Sequence, residues 1–378
     1  MRGLRHRAEA SEIPIPLVDL LTQHSLVADE VRRGWERVVS ESAFVLGEEV
    51  TRFEDDFANF CRVAHCVGVG SGTDALELSV RALGVGVGDE VIVPANSFVA
   101  SASAVLRAGA TPVLVDVDPR TLLIDPALVA SSIGPATKAV IAVHLYGQAA
   151  PMEQLAELVP EGLALVEDAA QAHGATRGGV CAGGLGSIAG TSFYPSKNLG
   201  AYGDGGAVLT NSRELARKVR ALGNHGSEVK YVHPELGFNS RLDSLQAVIL
   251  RAKLIHLAAW NDARREAAAR YHRLLEDLEE VQRPMVAPKN EHVWHLYVVR
   301  VPNRDRTLER LNLAGIGAGV HYRTPIHLEK GFRDLGYARG DFPVAEAAAQ
   351  EILSLPMFPQ ITPEQQARVV DELRKAVR

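Results

Sequence analysis

Ser192-Phe193-Tyr194-Pro195-Ser196-Lys197-Asn198-Leu199-Gly200, followed by Gly203-Asp204-Gly205-Gly206, places one lysine in a tight, glycine-flanked segment just after a short apolar strand. A lysine head is strongly hydrated and normally seeks a surface. Its amine becomes nucleophilic only when deprotonated, which a desolvated site promotes. Lys197 therefore reads in two ways: an ordinary loop lysine, or the imine partner of a carbonyl cofactor, of which pyridoxal phosphate (PLP) is the commonest. The choice depends on what else the chain offers.

PLP asks for a carboxylate at its pyridine nitrogen, a phosphate cradle and a flat apolar face. Leu163-Ala164-Leu165-Val166-Glu167-Asp168 reads as a buried strand ending in two acids. Ligands of α/β sheets sit outside the carboxyl ends of the strands, which places Asp168 to meet one and sends Glu167 to the other side. The competing reading makes Asp168 the N-cap of a following helix. Gly68-Val69-Gly70-Ser71-Gly72-Thr73-Asp74-Ala75-Leu76 reads as a strand turning into a helix whose start can bind an anion. The segment is a poor dinucleotide fingerprint, because Thr73 stands where a small residue is needed. Phe98, after the strand Glu90–Val93 and the turn Pro94-Ala95-Asn96-Ser97, could stack on a ring or be plain core.

Outward from these motifs the organisation is regular. Apolar runs at Val67–Val69, Glu90–Val93, Thr111–Asp116, Ala139–His144, Leu163–Glu167, Gly190–Ser192 and Ala207–Thr210 alternate with helical stretches. That alternation predicts an α/β fold with a mostly parallel seven-stranded sheet flanked by helices. Leu242 to Leu278 contains no Pro or Gly and repeats apolar residues at helical spacing, predicting one long helix or two abutting. Val293–Val301 reads as a strand and Pro363–Arg378 as a final amphipathic helix. The expected division is a loose tail over 1–12, a large cofactor-binding domain over 13–245 and a smaller C-terminal α+β domain over 246–378.

Cradle, aromatic, Asp and Lys in this order resemble fold-type-I PLP enzymes, and within them the sugar-nucleotide aminotransferases of the DegT/StrS type. The resemblance is carried by Gly70–Leu76, Gly88–Pro94, Val143–Gly147, Glu167–Gly174, the lysine segment and Gly237-Phe238-Asn239-Ser240-Arg241-Leu242-Asp243, and it covers nearly the whole chain. It implies that Lys197 forms the internal aldimine with PLP and shuttles the proton, and that Asp168 pairs with the pyridine nitrogen. It implies that Gln171 bonds the ring hydroxyl, that Ser71, Gly72, Thr73 and Ser192 hold the phosphate, and that Phe98 stacks on the ring. Asn239 would reach the cofactor of a neighbouring subunit, giving a homodimer with shared active sites. Similar sugar dehydratases carry His in place of the lysine, so Lys197 favours transamination. The implied reaction moves nitrogen from L-glutamate to a keto-sugar nucleotide in amino-sugar biosynthesis, at C3 of a dTDP-3-keto-6-deoxyhexose, with a C4-specific aminotransferase as the alternative. Lys230, Tyr231 and His233 could meet the diphosphate, or form a solvated loop. Tyr322 and His327 resemble a segment lining the sugar pocket, although His327 could equally be a satisfied histidine. A non-catalytic regulator with a PLP fold is the competing class.

Composition sets outer bounds. The chain has 378 residues, 47% hydrophobic and 23% charged, with formal net charge −6. An acidic balance argues against nucleic acid as a partner. No apolar run approaches the length of a membrane span, and Met1–Arg7 lacks the apolar core of a secretory signal. Cys61, Cys66 and Cys181 show no metal-ligand spacing and suit a reducing cytoplasm.

Overall fold

A computed structural model of the protein describes residues 13–378; the tail expected over 1–12 lies outside the described residues. Seven strands form one sheet in the order His65–Val69, Gly206–Thr210, Ile188–Ser192, Ala164–Asp168, Thr137–Val143, Glu90–Pro94, Thr111–Val115. Each matches an apolar run read from the sequence. Gly206–Thr210 is antiparallel to both neighbours. The remaining pairings are parallel. Because the other six strands point one way, their carboxyl ends gather at one edge, where the cradle, Phe98, Asp168 and the lysine loop begin.

Local chemistry explains the helix starts. Ser71 Oγ accepts from the Asp74 N–H at 3.1 Å and caps the helix Gly72–Ala82. Thr362 and Gln365 form a reciprocal capping box ahead of Pro363–Val377. The apolar stretch after Leu242 is a single helix, Ser244–Leu274. Its first half buries Ala247, Leu250, Leu254 and Leu257 against Phe53, Phe57 and Phe193. Its second half buries Ala267, Ala268 and Tyr271 in a separate core with Leu311, Leu353 and Val369. One rod therefore enters both cores.

The second core is built on Tyr297–Arg300 paired antiparallel with Ile352–Leu355. The helices Arg304–Leu313 and Pro363–Val377 contribute Leu311, Val369, Val370 and Leu373 to it. Ile15 bridges Ile316 and is buried in this core, so the start of the described chain returns to the C-terminal unit rather than to the sheet. The strand expected over Val293–Val301 is shorter. Val293 and Leu296 instead donate backbone bonds to Gly147 and Tyr146, at 2.9 and 3.2 Å, which draws Val293–Leu296 across the sheet edge. Among the described residues, no helix is long and apolar enough to cross a membrane.

Candidate active site

At the carboxyl edge of the sheet lies a cavity of about 520 Å³, lined by Ser71, Gly72, Thr73, Phe98, Asp168, Gln171, Ser192, Lys197 and Tyr322 among others. Eight of the nine expected cofactor residues thus converge from four separate stretches of chain. Asp168 ends its strand with the side chain in the cavity. Its Oδ2 accepts from Ser101 Oγ at 2.7 Å and its Oδ1 from the Ala170 N–H at 3.2 Å. Residues 169–174 make turns rather than a helix, so the capping alternative has no helix to cap. Glu167 faces the opposite way, as strand alternation requires. It is 2.8 Å from His144 Nε2 and accepts from the N–H groups of Gly183, Leu185 and Gly186.

Lys197 follows the strand Ile188–Ser192, its backbone turned by a bond from its N–H to the Tyr194 carbonyl at 2.8 Å. Burial pushes its amine down to about 8, against the opposing pull of the Asp168 carboxylate. An amine lowered this far has an uncharged fraction near neutrality far larger than an ordinary lysine has, which a nucleophile requires.

The cradle is fixed by close packing. A Cβ on Gly72 would lie 2.5 Å from Ser192 Cβ, and one on Gly206 would lie 2.4 Å from the Ser71 carbonyl oxygen. The N–H groups of Gly72 and Thr73 open a helix and have no intrahelical acceptor. Both residues line the cavity, so they present an anion site backed by the helix dipole. Phe98, half-exposed, and Tyr322 meet at 5.3 Å between ring centroids and supply the apolar wall. Gln171 accepts from the Tyr146 N–H at 2.6 Å and donates to Tyr322 Oη at 3.0 Å. Anion site, carboxylate, amine and flat wall form a donor set that fits PLP. Among the described residues, no group of three or more His, Cys, Asp or Glu is placed to hold a metal ion.

Residues 27–374 match the DegT/DnrJ/EryC1/StrS aminotransferase family. The chain belongs to this family. It is 48% identical over 369 residues to a protein of Geobacillus stearothermophilus named "Pleiotropic regulatory protein", covering 96% of this chain and 99% of that one. It is 44% identical to a dTDP-3-amino-3,4,6-trideoxy-alpha-D-glucose transaminase of Streptomyces venezuelae, covering 98% and 97% of the two chains. A UDP-N-acetyl-3-dehydro-alpha-D-glucosamine 3-aminotransferase of Acidithiobacillus ferrooxidans is 46% identical, over 96% and 98% of the two chains. The crystal structure of Streptomyces venezuelae DesV with a ketimine intermediate superposes with a TM-score of 0.94 at 44% identity, covering 96% of this chain and 98% of that one. The fold and the aminotransferase class expected from the sequence are those of the family.

The remaining expected residues of this aminotransferase are scattered. Asn239 is exposed, accepts from the Arg241 guanidinium at 2.7 Å and lies outside its own chain's cavity. Lys230, Tyr231 and His233 occupy an exposed loop, with Tyr231 82% exposed, and none lines that cavity. His327 corrects the expectation of a sugar contact. It is buried, 2.9 Å from Glu346 Oε1 and edge-on to Phe342, and forms no part of the cavity wall. Ser101, His295 and His321 belong to the site and were not expected from the sequence. Ser101 could have been suspected from its place one turn after Phe98; His321 opens the segment whose Tyr322 and His327 resemble a sugar-pocket lining, and His295 had no local signal.

Proposed function

We propose that this chain is a PLP-dependent aminotransferase that moves the amino group of L-glutamate to C3 of a dTDP-3-keto-6-deoxyhexose, as a cytoplasmic homodimer in amino-sugar biosynthesis. One observation carries the reading: the depressed amine of Lys197 shares a cavity with the Asp168 carboxylate and the open helix start at Gly72 and Thr73. PLP, when bound through Lys197, supplies an electron sink that labilises a proton next to the nitrogen. The chain's own groups organise that chemistry. Gly72, Thr73 and the hydroxyls of Ser71 and Ser192 hold the phosphate. Asp168, oriented by Ser101, would face the pyridine nitrogen and favour its protonated form. Phe98 and Tyr322 wall the ring, and Gln171 offers its second amide proton to the ring hydroxyl. Lys197 Nζ, its proton affinity lowered by burial, takes the labile proton and returns it.

Amination at C3 is supported by relatives named for 3-amino sugars. The dTDP carrier rests on two of these, whereas the Acidithiobacillus ferrooxidans relative is named for a UDP sugar. The regulatory name of the Geobacillus stearothermophilus relative favours a non-catalytic role, but the full set of Lys197, Asp168 and cradle favours turnover. A panel of 3-keto and 4-keto dTDP- and UDP-sugars with L-glutamate tests the reading. Mass-detected amination confined to the 3-keto dTDP-sugar is expected. Preference for a 4-keto sugar or a UDP sugar overturns the substrate, and no turnover with any of them overturns the activity.

A further inference from the structure

The helix Ser244–Leu274 turns one polar stripe towards the loop that carries Lys197. Gln246, Lys253 and Asn261 are each about two helical turns apart, so they share one face of the helix. They hold Tyr202, Gly200 and Asn198, alternate residues of the loop taken in reverse order. Gln246 Oε1 accepts from the Tyr202 N–H at 2.9 Å, Lys253 Nζ donates to the Gly200 carbonyl at 2.6 Å, and Asn198 Nδ2 donates to Asn261 Oδ1 at 3.0 Å. Between these ties the loop closes on itself. The Ala201 N–H donates to the Phe193 carbonyl at 2.8 Å. Gly200 passes so near Pro195 that a Cβ on it would lie 2.2 Å from the Pro195 carbonyl oxygen. Lys197 sits inside that closure, between Pro195 and Gly200.

Lys253 is the unusual member of the stripe. It is 3% exposed, and burial alone pushes its amine down to about 8, with no carboxylate among the described residues to offset it. A buried ammonium is retained only where its hydrogens and its charge are met. The Gly200 carbonyl meets one hydrogen, and the face of Tyr202 meets the charge, with Nζ 4.5 Å from the ring centroid. That ring is held in turn. Its Oη is 2.6 Å from His24 Nδ1, and its edge meets Trp35 at 6.3 Å between centroids. Trp35 Nε1 donates to the Leu245 carbonyl at 3.0 Å, which ties the assembly back to the same helix. A methionine would fill this space without burying an ammonium, so packing alone gives no reason for a lysine.

We propose that Lys253 is a positioning residue for Lys197, its ammonium fixing the Gly200 carbonyl so that the turn from Pro195 to Gly200 holds the reactive amine at one place in the cavity. The proposal rests on the reading of Lys197 as the cofactor-binding amine. The clamp acts from behind, since neither Lys253 nor Tyr202 lines the cavity. Gln246 and Asn261 assist it, but their bonds join neutral groups, and a charge-assisted bond is roughly twice as strong. Position matters here because displacing a reacting group by about 1 Å lowers the rate on the order of a hundredfold.

The test is amide hydrogen exchange of the cofactor-free full-length protein, read by mass on the peptide spanning 197–205, with PLP capture followed separately by near-visible absorbance. Lys253→Met fills the space but removes the charge and the donor. The loop peptide should exchange about tenfold faster, while peptides from the strand Thr137–Val143 keep their wild-type rates. PLP capture should slow about tenfold or more. Lys253→Arg, which keeps a cation and a donor, should recover much of both. Unchanged loop exchange in Lys253→Met, equal acceleration of the core strand, or wild-type capture by a loosened loop each overturns the proposal. An Arg variant no better than the Met variant overturns it too. Should Lys253→Met fail to fold, Tyr202→Leu removes only the ring beneath the ammonium. Faster exchange of the same peptide is expected, and unchanged exchange overturns the proposal. The parent reading fails separately, if Lys197→Ala still acquires the near-visible absorbance of lysine-linked PLP.

Discussion

At the scale of single residues, the site depends on groups whose charge the fold has moved. Lys197 has its amine lowered to about 8 from an ordinary value near 10.5. The sign of the consequence follows directly. The protonated form is disfavoured in the folded protein, and that penalty is fully present below pH 8 and relieved as pH rises from about 8 towards 10.5. Capture of PLP by cofactor-free protein needs the neutral amine, so its rate should rise about tenfold per pH unit below 8 and flatten above it. A midpoint near 10, measured by stopped-flow absorbance, would show that burial does not activate this lysine. Asp168 is the second such residue. Asp168→Asn preserves shape and the Ala170 bond but loses the negative charge, and should cut turnover about 100-fold or more while weakening PLP retention. Unchanged kinetics would remove Asp168 from the chemistry. Both residues were legible because their chemistry is local: an odd lysine after a strand, and an acid at a strand's end. Ser101 was not, because its place in the site comes from the Asp168 carboxylate, far away in sequence. His327 misled for the same reason in reverse, since Glu346 and Phe342 draw it inward.

At the scale of elements, the apolar periodicity carried the whole sheet, strand by strand, because six parallel strands buried on both faces read as near-continuous β-branched runs. It failed at Val293–Leu296, where bonds to Gly147 and Tyr146 override a run with equally good strand composition. The short hairpin Thr176–Arg177 with Val180–Cys181 was also hidden, since two residues per strand make no pattern. The turn into the helix Gly72–Ala82 offers the clearest element-level test. Gly72 has ordinary backbone geometry, so the demand for glycine is one of space against Ser192, not of conformation. Gly72→Ala must push the helix start away from Ser192 and open the anion site. Retention of PLP through dialysis should fall about tenfold or more, with circular dichroism little changed. Equal retention would mean that Ser192 yields and that the N–H groups of this turn do not hold the phosphate.

At the scale of the whole molecule, the cavity supplies an amine, a carboxylate and an anion cradle, yet Asn239, Lys230, Tyr231 and His233 stand outside it on exposed chain. Exposed Val229, Val232 and Leu236 accompany them, apolar side chains at 55% to 95% exposure in one loop. Large apolar side chains exposed together in one loop suit burial against a partner. If Asn239 completes the partner's site, each site draws Lys197 from one chain and Asn239 from the other. Lys197→Ala alone should then lose turnover by about 1,000-fold or more. Asn239→Ala alone should retain PLP poorly while its dimer stays intact by light scattering. In a mixed dimer of the two variants, one site carries both lesions and the other carries neither. Co-expressed, differently tagged chains purified as the heterodimer should regain up to half of the wild-type turnover. If the purified heterodimer stays as inactive as Lys197→Ala itself, Asn239 serves its own chain's site, and each catalytic centre is built from a single copy of the chain.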